Sequence, residues 1–153
     1  MSVNTDLQGS SYRLENPVEV GQEKIAEFAR AVGATHPSHF DAQAAKDLGY
    51  GAQVAPPTFP VTIAQRAEAL YIASEEAGID FSRVVHGQEQ FTYARPVVAG
   101  DLLNAECFVD GIREAGGHAM ITTRTELTDA RTDEPVVTVT STIVVRGGED
   151  LSL

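Results

Sequence analysis

The sequence is poor in the residues on which several classes of protein depend. It has one cysteine, Cys107, in 153 residues, so it can form neither an intramolecular disulfide nor a C-x-x-C site for zinc or thiol exchange. Tryptophan is absent, and no apolar run approaches the length of a membrane-spanning helix. Residues 1–10 lack the basic and apolar segments of a secretion signal. We therefore expect a cytoplasmic protein that is not inserted in a membrane.

Basic residues are also scarce. Eleven lysines and arginines face 22 acidic residues, which gives a formal charge of −11. Such a chain repels a phosphate backbone and an anionic lipid surface, so neither nucleic acid nor membrane is expected as a partner. The 42% hydrophobic content is ordinary for a globular protein, and the length suits one domain. We expect a flexible N-terminus over residues 1–11, a single domain over 12–147 and a tail over 148–153.

Helical spacing of apolar residues marks the first half of the chain. It predicts a surface helix over residues 20–32 that ends at Gly33, and a short helix capped by Asp41 and ended by Gly49. A longer helix is predicted over 58–77, with Pro60 in its first turn. Its predicted buried face consists of Phe59, Ile63, Ala67, Leu70, Ala73 and Ala77.

After Gly78 the pattern changes to the alternation of β-strands. Strands are predicted over 85–93, 103–109, 119–127 and 136–145, and a weak strand is predicted over 11–14. Four successive strands favour an antiparallel meander. Together with the helices they indicate an α+β domain in which a sheet wraps one long helix.

The segment from Gly33 to His39, G-A-T-H-P-S-H, contains two of the four histidines. It resembles the G-D-x-N-P-x-H signature of the MaoC-like hot-dog dehydratases. Aligned on its glycine, proline and final histidine, the chain has Ala34 in place of the aspartate and His36 in place of the asparagine. The segment therefore keeps the histidine of a catalytic site and lacks its carboxyl group.

The resemblance covers most of the chain. V-A-P-P-T-F at 54–59 and V-V-H-G-Q-E-Q-F-T-Y-A-R-P-V-V-A-G-D at 84–101 are similar to an actinobacterial subfamily of MaoC-like proteins. That subfamily resembles the A-type or C-type subunits of the β-hydroxyacyl-ACP dehydratase of mycolic-acid synthesis, which help shape the acyl site beside a separate catalytic subunit. The resemblance implies the hot-dog fold, an antiparallel sheet around a central helix, and pairing with another hot-dog chain.

The activity implied by the resemblance is that of a hydro-lyase acting on acyl thioesters. Water would be removed from a (3R)-3-hydroxyacyl group on CoA or acyl carrier protein, or added in the reverse reaction, in fatty-acid or mycolic-acid-type metabolism. A base must take a proton from C2, and an acid must protonate the departing hydroxyl. His39 is the predicted base, and His36 is a candidate for the acid. No cofactor and no metal are expected.

The thioester oxygen needs N–H donors as it gains negative charge. We expect them at the start of the long helix, where unpaired amides and the positive end of the helix dipole converge. Thr58 and Phe59 are the predicted donors. Further substrate-binding candidates are Val54, Pro57, His86 and Gly87.

Each of these residues also has a purely structural interpretation. His39 and His36 could be loop histidines bonded to the backbone, and His86 a structural histidine at the start of a strand. Asp101 suits a turn, and Cys107 suits a core strand.

Three functions remain open from the sequence. The chain could be one subunit of a hetero-oligomeric dehydratase, or a self-sufficient homodimeric enoyl hydratase. It could also be a non-catalytic acyl-thioester binding protein or a thioesterase, because one fold supports several activities.

Overall fold

The computed structural model describes residues 2–148, which form an α+β domain with an antiparallel sheet and three α-helices. Residues 149–153 of the predicted C-terminal tail lie outside this described range. No helix within it is both long and apolar enough to span a membrane. The elements are β1 (Ser11–Arg13), β2 (Val18–Glu19), α1 (Gln22–Ala31), α2 (Ala42–Asp47), α3 (Val61–Ile72), β3 (Val84–Tyr93), β4 (Leu102–Ala115), β5 (His118–Asp129) and β6 (Pro135–Val145).

The sheet order is β1-β4-β5-β6-β3, and β2 also pairs with β4. The predicted meander is therefore wrong at its first step, because β3 pairs with β6 rather than with β4. The reason lies in residues 94–101, which run past the segment 53–55 instead of turning back tightly. The N–H of Ala55 donates to the carbonyl of Val97, and the N–H of Ala99 donates to that of Gln53. As a result β3 lies at an edge of the sheet.

Helix α3 packs against β1, β4 and β5 and buries Ile63, Ala64, Ala67, Glu68, Tyr71 and Ile72. This confirms a buried helix, but its buried face is rotated from the predicted one. Leu70 is 44% exposed, and Ala73 is also exposed. The rotation brings an acidic residue, Glu68, to the sheet, where it is 2% exposed.

Helix α3 is also shorter than the predicted span of 58–77. Before it, the N–H of Phe59 donates to the carbonyl of Pro56 in a separate turn, and Pro60 occupies the N-cap position of the helix. After it, Ser74 is extended, and a 3₁₀ helix at Glu75–Ala77 ends at Gly78 in the left-handed region. The predicted helix is therefore a turn, helix α3 and a 3₁₀ helix in succession.

The predicted helix ends in the first half of the chain are confirmed. Gly33 and Gly49 both adopt positive φ where helices end. Asp41 caps α2 by accepting a hydrogen bond from the N–H of Gln43. These residues work as predicted because capping depends on local chemistry.

The described part of the N-terminal segment makes several contacts with the domain. Thr5–Leu7 form a 3₁₀ helix, and Val3 is buried. The N–H of Asn4 donates to the carbonyl of Ala77, and that of Gly9 donates to Val109. Whether residues 1–11 are flexible in solution stays a prediction.

Arg95 fixes the crossing segment 94–101 to the sheet. Its guanidinium donates to both carboxylate oxygens of Asp101, at 2.9 and 3.2 Å, and to Asp129 at 3.1 Å. Asp101 also accepts from the N–H of Val98, as its predicted turn role requires. Cys107 lies in the core as predicted, and burial raises the pKa of its thiol to about 12.

Gly78 provides a test of how the N-terminal segment contacts the domain. A Cβ at this position would lie 2.7 Å from the carbonyl oxygen of Ser2 and would have φ +65°. We expect Gly78→Ala to lower the free energy of unfolding by about 2–3 kcal/mol, from the left-handed strain plus the clash. Urea unfolding followed by circular dichroism measures this loss.

Gly49→Ala is the matched control, because Gly49 has φ +95° and no atom lies within 4 Å of the added Cβ. It should lose only the backbone component, about 1 kcal/mol. Equal losses for the two variants would mean that the contact between Gly78 and Ser2 does not exist in solution.

Candidate functional site

The loop between α1 and α2 holds the two predicted site histidines. Gly33 reverses the chain after α1, and the N–H of Ala34 donates back to the carbonyl of Ala29. Pro37–His39 then form a 3₁₀ turn capped by His36. The imidazole rings of His36 and His39 lie edge to face, with their centroids 6.3 Å apart. The structure therefore brings both histidines together.

His36 uses one ring nitrogen as an acceptor. Its Nδ1 accepts from the N–H of Ser38 at 3.2 Å and lies 2.8 Å from the Ser38 hydroxyl. Because a backbone N–H can only donate, Nδ1 carries no proton, and the neutral ring has its proton on Nε2. Protonating Nδ1 would lose the bond from the Ser38 N–H. This capping role makes His36 a poorer acid than its position in the motif suggests.

His39 has the opposite arrangement. Its Nδ1 lies 2.8 Å from the carbonyl oxygen of Val54, which can only accept, so Nδ1 carries the proton. The neutral ring then has a lone pair on Nε2, and the residue is partly exposed. A carbonyl that fixes one nitrogen and leaves the other free to accept a proton is the arrangement a general base requires.

Further hydrogen bonds attach the histidine loop to the segment 53–55. The N–H of Val54 donates to the carbonyl of Ser38, and the side-chain amide of Gln53 donates to the carbonyl of His39 at 2.6 Å. Gln53 and Ser38 are both buried. Val54 also forms a bridge to Val98. The short extended segment 53–55 therefore connects the histidine loop to the turn that precedes β4.

The turn before α3 contains the predicted oxyanion donors. The N–H of Phe59 is bonded to the carbonyl of Pro56, whereas the N–H of Thr58 has no partner within residues 2–148. Pro57 offers no N–H, and its carbonyl accepts from the hydroxyl of Tyr93. Burial raises the pKa of that hydroxyl to about 12, so it remains a donor at physiological pH. Of the two candidates, Thr58 is the one with an available amide.

A surface groove of about 690 Å³ passes the first turns of α3. It lies between α1, the β1–β2 connection and α3, and Phe59, Thr62 and Arg66 belong to its wall. His39 and Thr58 do not line it. Within the described chain, the ring of His39 is therefore not enclosed by this groove.

His86 and Gly87 lie away from the histidine loop, at the beginning of β3. The Nε2 of His86 is 2.9 Å from a carboxylate oxygen of Glu68, which is about two turns into α3. The other oxygen of Glu68 accepts from the Thr123 hydroxyl at 2.7 Å. The substrate-binding roles of Val54, His86 and Gly87 stay predictions.

Sequence reasoning missed Gln53, Tyr93 and Glu68. Glu68 carried a usable signal, because it stands one helical turn from both Ala64 and Tyr71, and an acid on a buried stripe is rarely left without a function or a partner. The sequence gives no comparable signal for Gln53 and Tyr93, because their hydrogen bonds join segments that are distant in sequence.

Comparison with known proteins identifies the family of the chain. Residues 7–139 match the family described as "FAS1-like, dehydratase domain region". A UPF0336 protein of Clavibacter michiganensis is 48% identical over 149 residues, which cover 97% of this chain and 99% of that protein.

Two solved structures extend the comparison. The C-terminally truncated HadBC (3R-hydroxyacyl-ACP dehydratase) complex from Mycobacterium tuberculosis contains a chain that superimposes with a TM-score of 0.83 and 34% identity, over 92% of this chain and 98% of that one. A MaoC-like dehydratase matches with a TM-score of 0.80 and 37% identity, over 93% of this chain and 43% of that one. The predicted hot-dog fold is confirmed, and the chain belongs to the MaoC-like hot-dog dehydratase family.

Proposed function

We propose that the chain is a subunit of a (3R)-3-hydroxyacyl-thioester dehydratase, or enoyl hydratase, that reaches full activity only with a second hot-dog chain. The proposal depends on one observation, the combination of a correctly bonded histidine and a missing carboxyl group in the histidine loop. His39 is held as a proton acceptor by the carbonyl of Val54, while Ala34 occupies the position of the carboxyl group. The site is supplied with a base and lacks an acid of its own.

In the dehydration direction, Nε2 of His39 would take the proton from C2 of the acyl group. The thioester oxygen gains charge at this step and needs a donor. The N–H of Thr58, which has no partner among residues 2–148, is available for it, and the positive end of the α3 dipole favours the same charge. The departing C3 hydroxyl then needs a proton from an acid.

Ala34 cannot supply that proton, and His36 is bound as an acceptor by Ser38. Loss of a positioned acid typically lowers a rate by about 10²- to 10⁴-fold. We infer that a partner subunit supplies this acid from an intact Asp-His pair of its own and encloses the partly exposed ring of His39. The acyl group would be carried by CoA or by acyl carrier protein.

Strand β3 supports the involvement of a second chain. It is ten residues long, stands at an edge of the sheet, and bonds to β6 on one side. Val85 and Tyr93 on this strand are large apolar side chains that remain exposed. A long edge strand with exposed apolar side chains is a surface on which a further strand can pair.

His39→Ala tests the base. We expect hydration of a trans-2-enoyl-CoA by the chain, alone or with its partner, to fall by about 10²- to 10⁴-fold, because the proton acceptor is removed. The loss of ultraviolet absorbance of the conjugated thioester measures the rate. His118→Ala removes an exposed histidine at the start of β5 and is the matched control. Unchanged turnover in His39→Ala would exclude His39 as the base.

Ala34→Asp tests the missing acid. If the rest of the site is intact, restoring the carboxyl group should raise the turnover of the isolated chain at least ~10-fold. The same assay, run on Ala34→Asp and Ala34→Asn, separates a proton donor from a polar side chain of similar size. No gain in either variant would indicate a loop that binds the acyl group without catalysing its hydration.

His36→Ala distinguishes the remaining alternative, in which the chain works alone. A large loss of turnover in the isolated chain would assign the acid to His36 and favour a self-sufficient homodimer. A small loss, accompanied by lower thermal stability from the missing cap, fits the hydrogen bonds to Ser38.

Release of free thiol from a saturated acyl-CoA would instead favour a thioesterase.

A further inference from the structure

A second group of titratable side chains lies on the inner face of β3, outside the histidine loop. Glu68 of α3 and Glu89 of β3 both approach Nε2 of His86, at 2.9 and 4.0 Å. Each carboxylate is also held by one hydroxyl. Thr123 of β5 donates to Glu68 at 2.7 Å, and Ser141 of β6 donates to Glu89 at 2.6 Å. The cluster thus joins the central helix to three strands at the open edge of the sheet.

This cluster is costly to the isolated chain. Glu68 is almost fully buried, and Oε1 of Glu89 is buried without a hydrogen-bond partner among the described residues. Burial raises the pKa of the Glu89 carboxyl, despite the bond from Ser141. Buried carboxylates with an unfilled acceptor do not stabilise a fold, so a role outside folding is indicated.

The unfilled positions of the cluster require donors. A carboxylate oxygen accepts, so Nε2 of His86 donates to Glu68. Oε1 of Glu89 has no donor among the described residues. An unfilled carboxylate oxygen beside a second carboxylate suits a cationic donor better than a neutral or anionic group.

A second copy of this chain cannot provide such a donor through β3. The strand V-V-H-G-Q-E-Q-F-T-Y contains no lysine or arginine. Antiparallel pairing along most of the strand places the two-fold axis near its middle, at residues 88–90. The two Glu89 side chains then lie directly or diagonally opposite each other on one face, at roughly 5–8 Å, where like charges repel.

We propose that the edge of β3 is reserved for a different chain, whose edge strand presents a basic side chain opposite Glu89, and that the Glu68–His86–Glu89 cluster opposes pairing of the chain with itself. This inference rests on the proposed function for the existence of a partner and adds how that partner is selected. Repulsion of like pairs and attraction of unlike pairs together produce specific association.

The groups that set the charge of this edge are few. Glu89 is faced by His86 on its own strand, Glu68 on α3 and the uncharged Ser141 on β6. Because burial favours the protonated form of Glu89, acidification should weaken the repulsion between two copies. Self-pairing of the natural chain should therefore become tighter as the pH falls from 8 towards the ordinary range of a carboxyl group.

Reversal of the charge at position 89 tests the proposal, and the natural partner need not be known. Glu89→Lys turns the chain into a hot-dog unit with a basic residue at the required place. Mixed with the natural chain at pH 8, it should form a mixed dimer with a dissociation constant at least ~10-fold below that of either chain alone. Sedimentation velocity with one chain fluorescently labelled measures this constant, and circular dichroism checks that the variant is folded.

Glu134→Lys is the matched control, because Glu134 is exposed in the β5–β6 turn and the substitution changes the net charge equally. Mixing it with the natural chain should produce no additional dimer. If Glu89→Lys does not fold, Glu89→Gln serves instead and should self-pair at least ~10-fold more tightly than the natural chain at pH 8.

The inference is overturned if the natural chain pairs with itself at pH 8 as tightly as it pairs with Glu89→Lys, or if Glu89→Gln and the natural chain associate equally. Either result would leave the proposed dehydratase chemistry intact, because that proposal depends on the response of turnover to His39→Ala. Conversely, selective pairing without any effect of His39→Ala would retain the interface and remove the catalytic role.

Discussion

The extended segment 53–55 is the constraint on which the candidate site depends. On one side it holds the histidine loop, through the bond between Val54 and the ring of His39 and through the side chain of Gln53. On the other side it pairs with residues 97–99 of the crossing turn. Since that turn is fixed to the sheet by Arg95, the orientation of one imidazole is determined by contacts that extend to β5. The proposed base, His39, is therefore preorganised by the scaffold.

Much of the fold could be predicted from local pattern. Strand alternation located all four long strands, and the ends of α1 and α2 followed from Gly33, Asp41 and Gly49, because caps and periodicity act between residues close in sequence. The extent of α3 was overestimated, because a continuous apolar rhythm does not reveal that Ser74 adopts an extended conformation. The pairing of β3 with β6 depends on a crossing turn whose partners lie about forty residues away, as Ala55 and Val97 do.

The candidate site was predictable in its residue types and not in its protonation geometry. The motif pointed to His36 and His39. Only the hydrogen bonds to Ser38 and Val54 show that Nδ1 is the acceptor in His36, whereas Nδ1 is the donor in His39. His86 was assigned to the same substrate region from its sequence neighbourhood. Its actual neighbour is Glu68, whose position follows from the rotation of α3. That rotation depends on tertiary packing and cannot be deduced from the spacing of apolar residues alone.

The acidic side chains under β3 have a consequence for the life of the chain before assembly. In the proposed hetero-oligomer, a chain that has not yet met its partner exposes a ten-residue edge strand and is at risk of forming fibrous aggregates with its own copies. Charged residues that point inward from such an edge are one of the means by which natural sheets avoid this outcome. Under this proposal, Glu89 would keep newly synthesised chains dispersed until they meet their partner, so that delayed or unequal production of the two subunits would be tolerable to the cell.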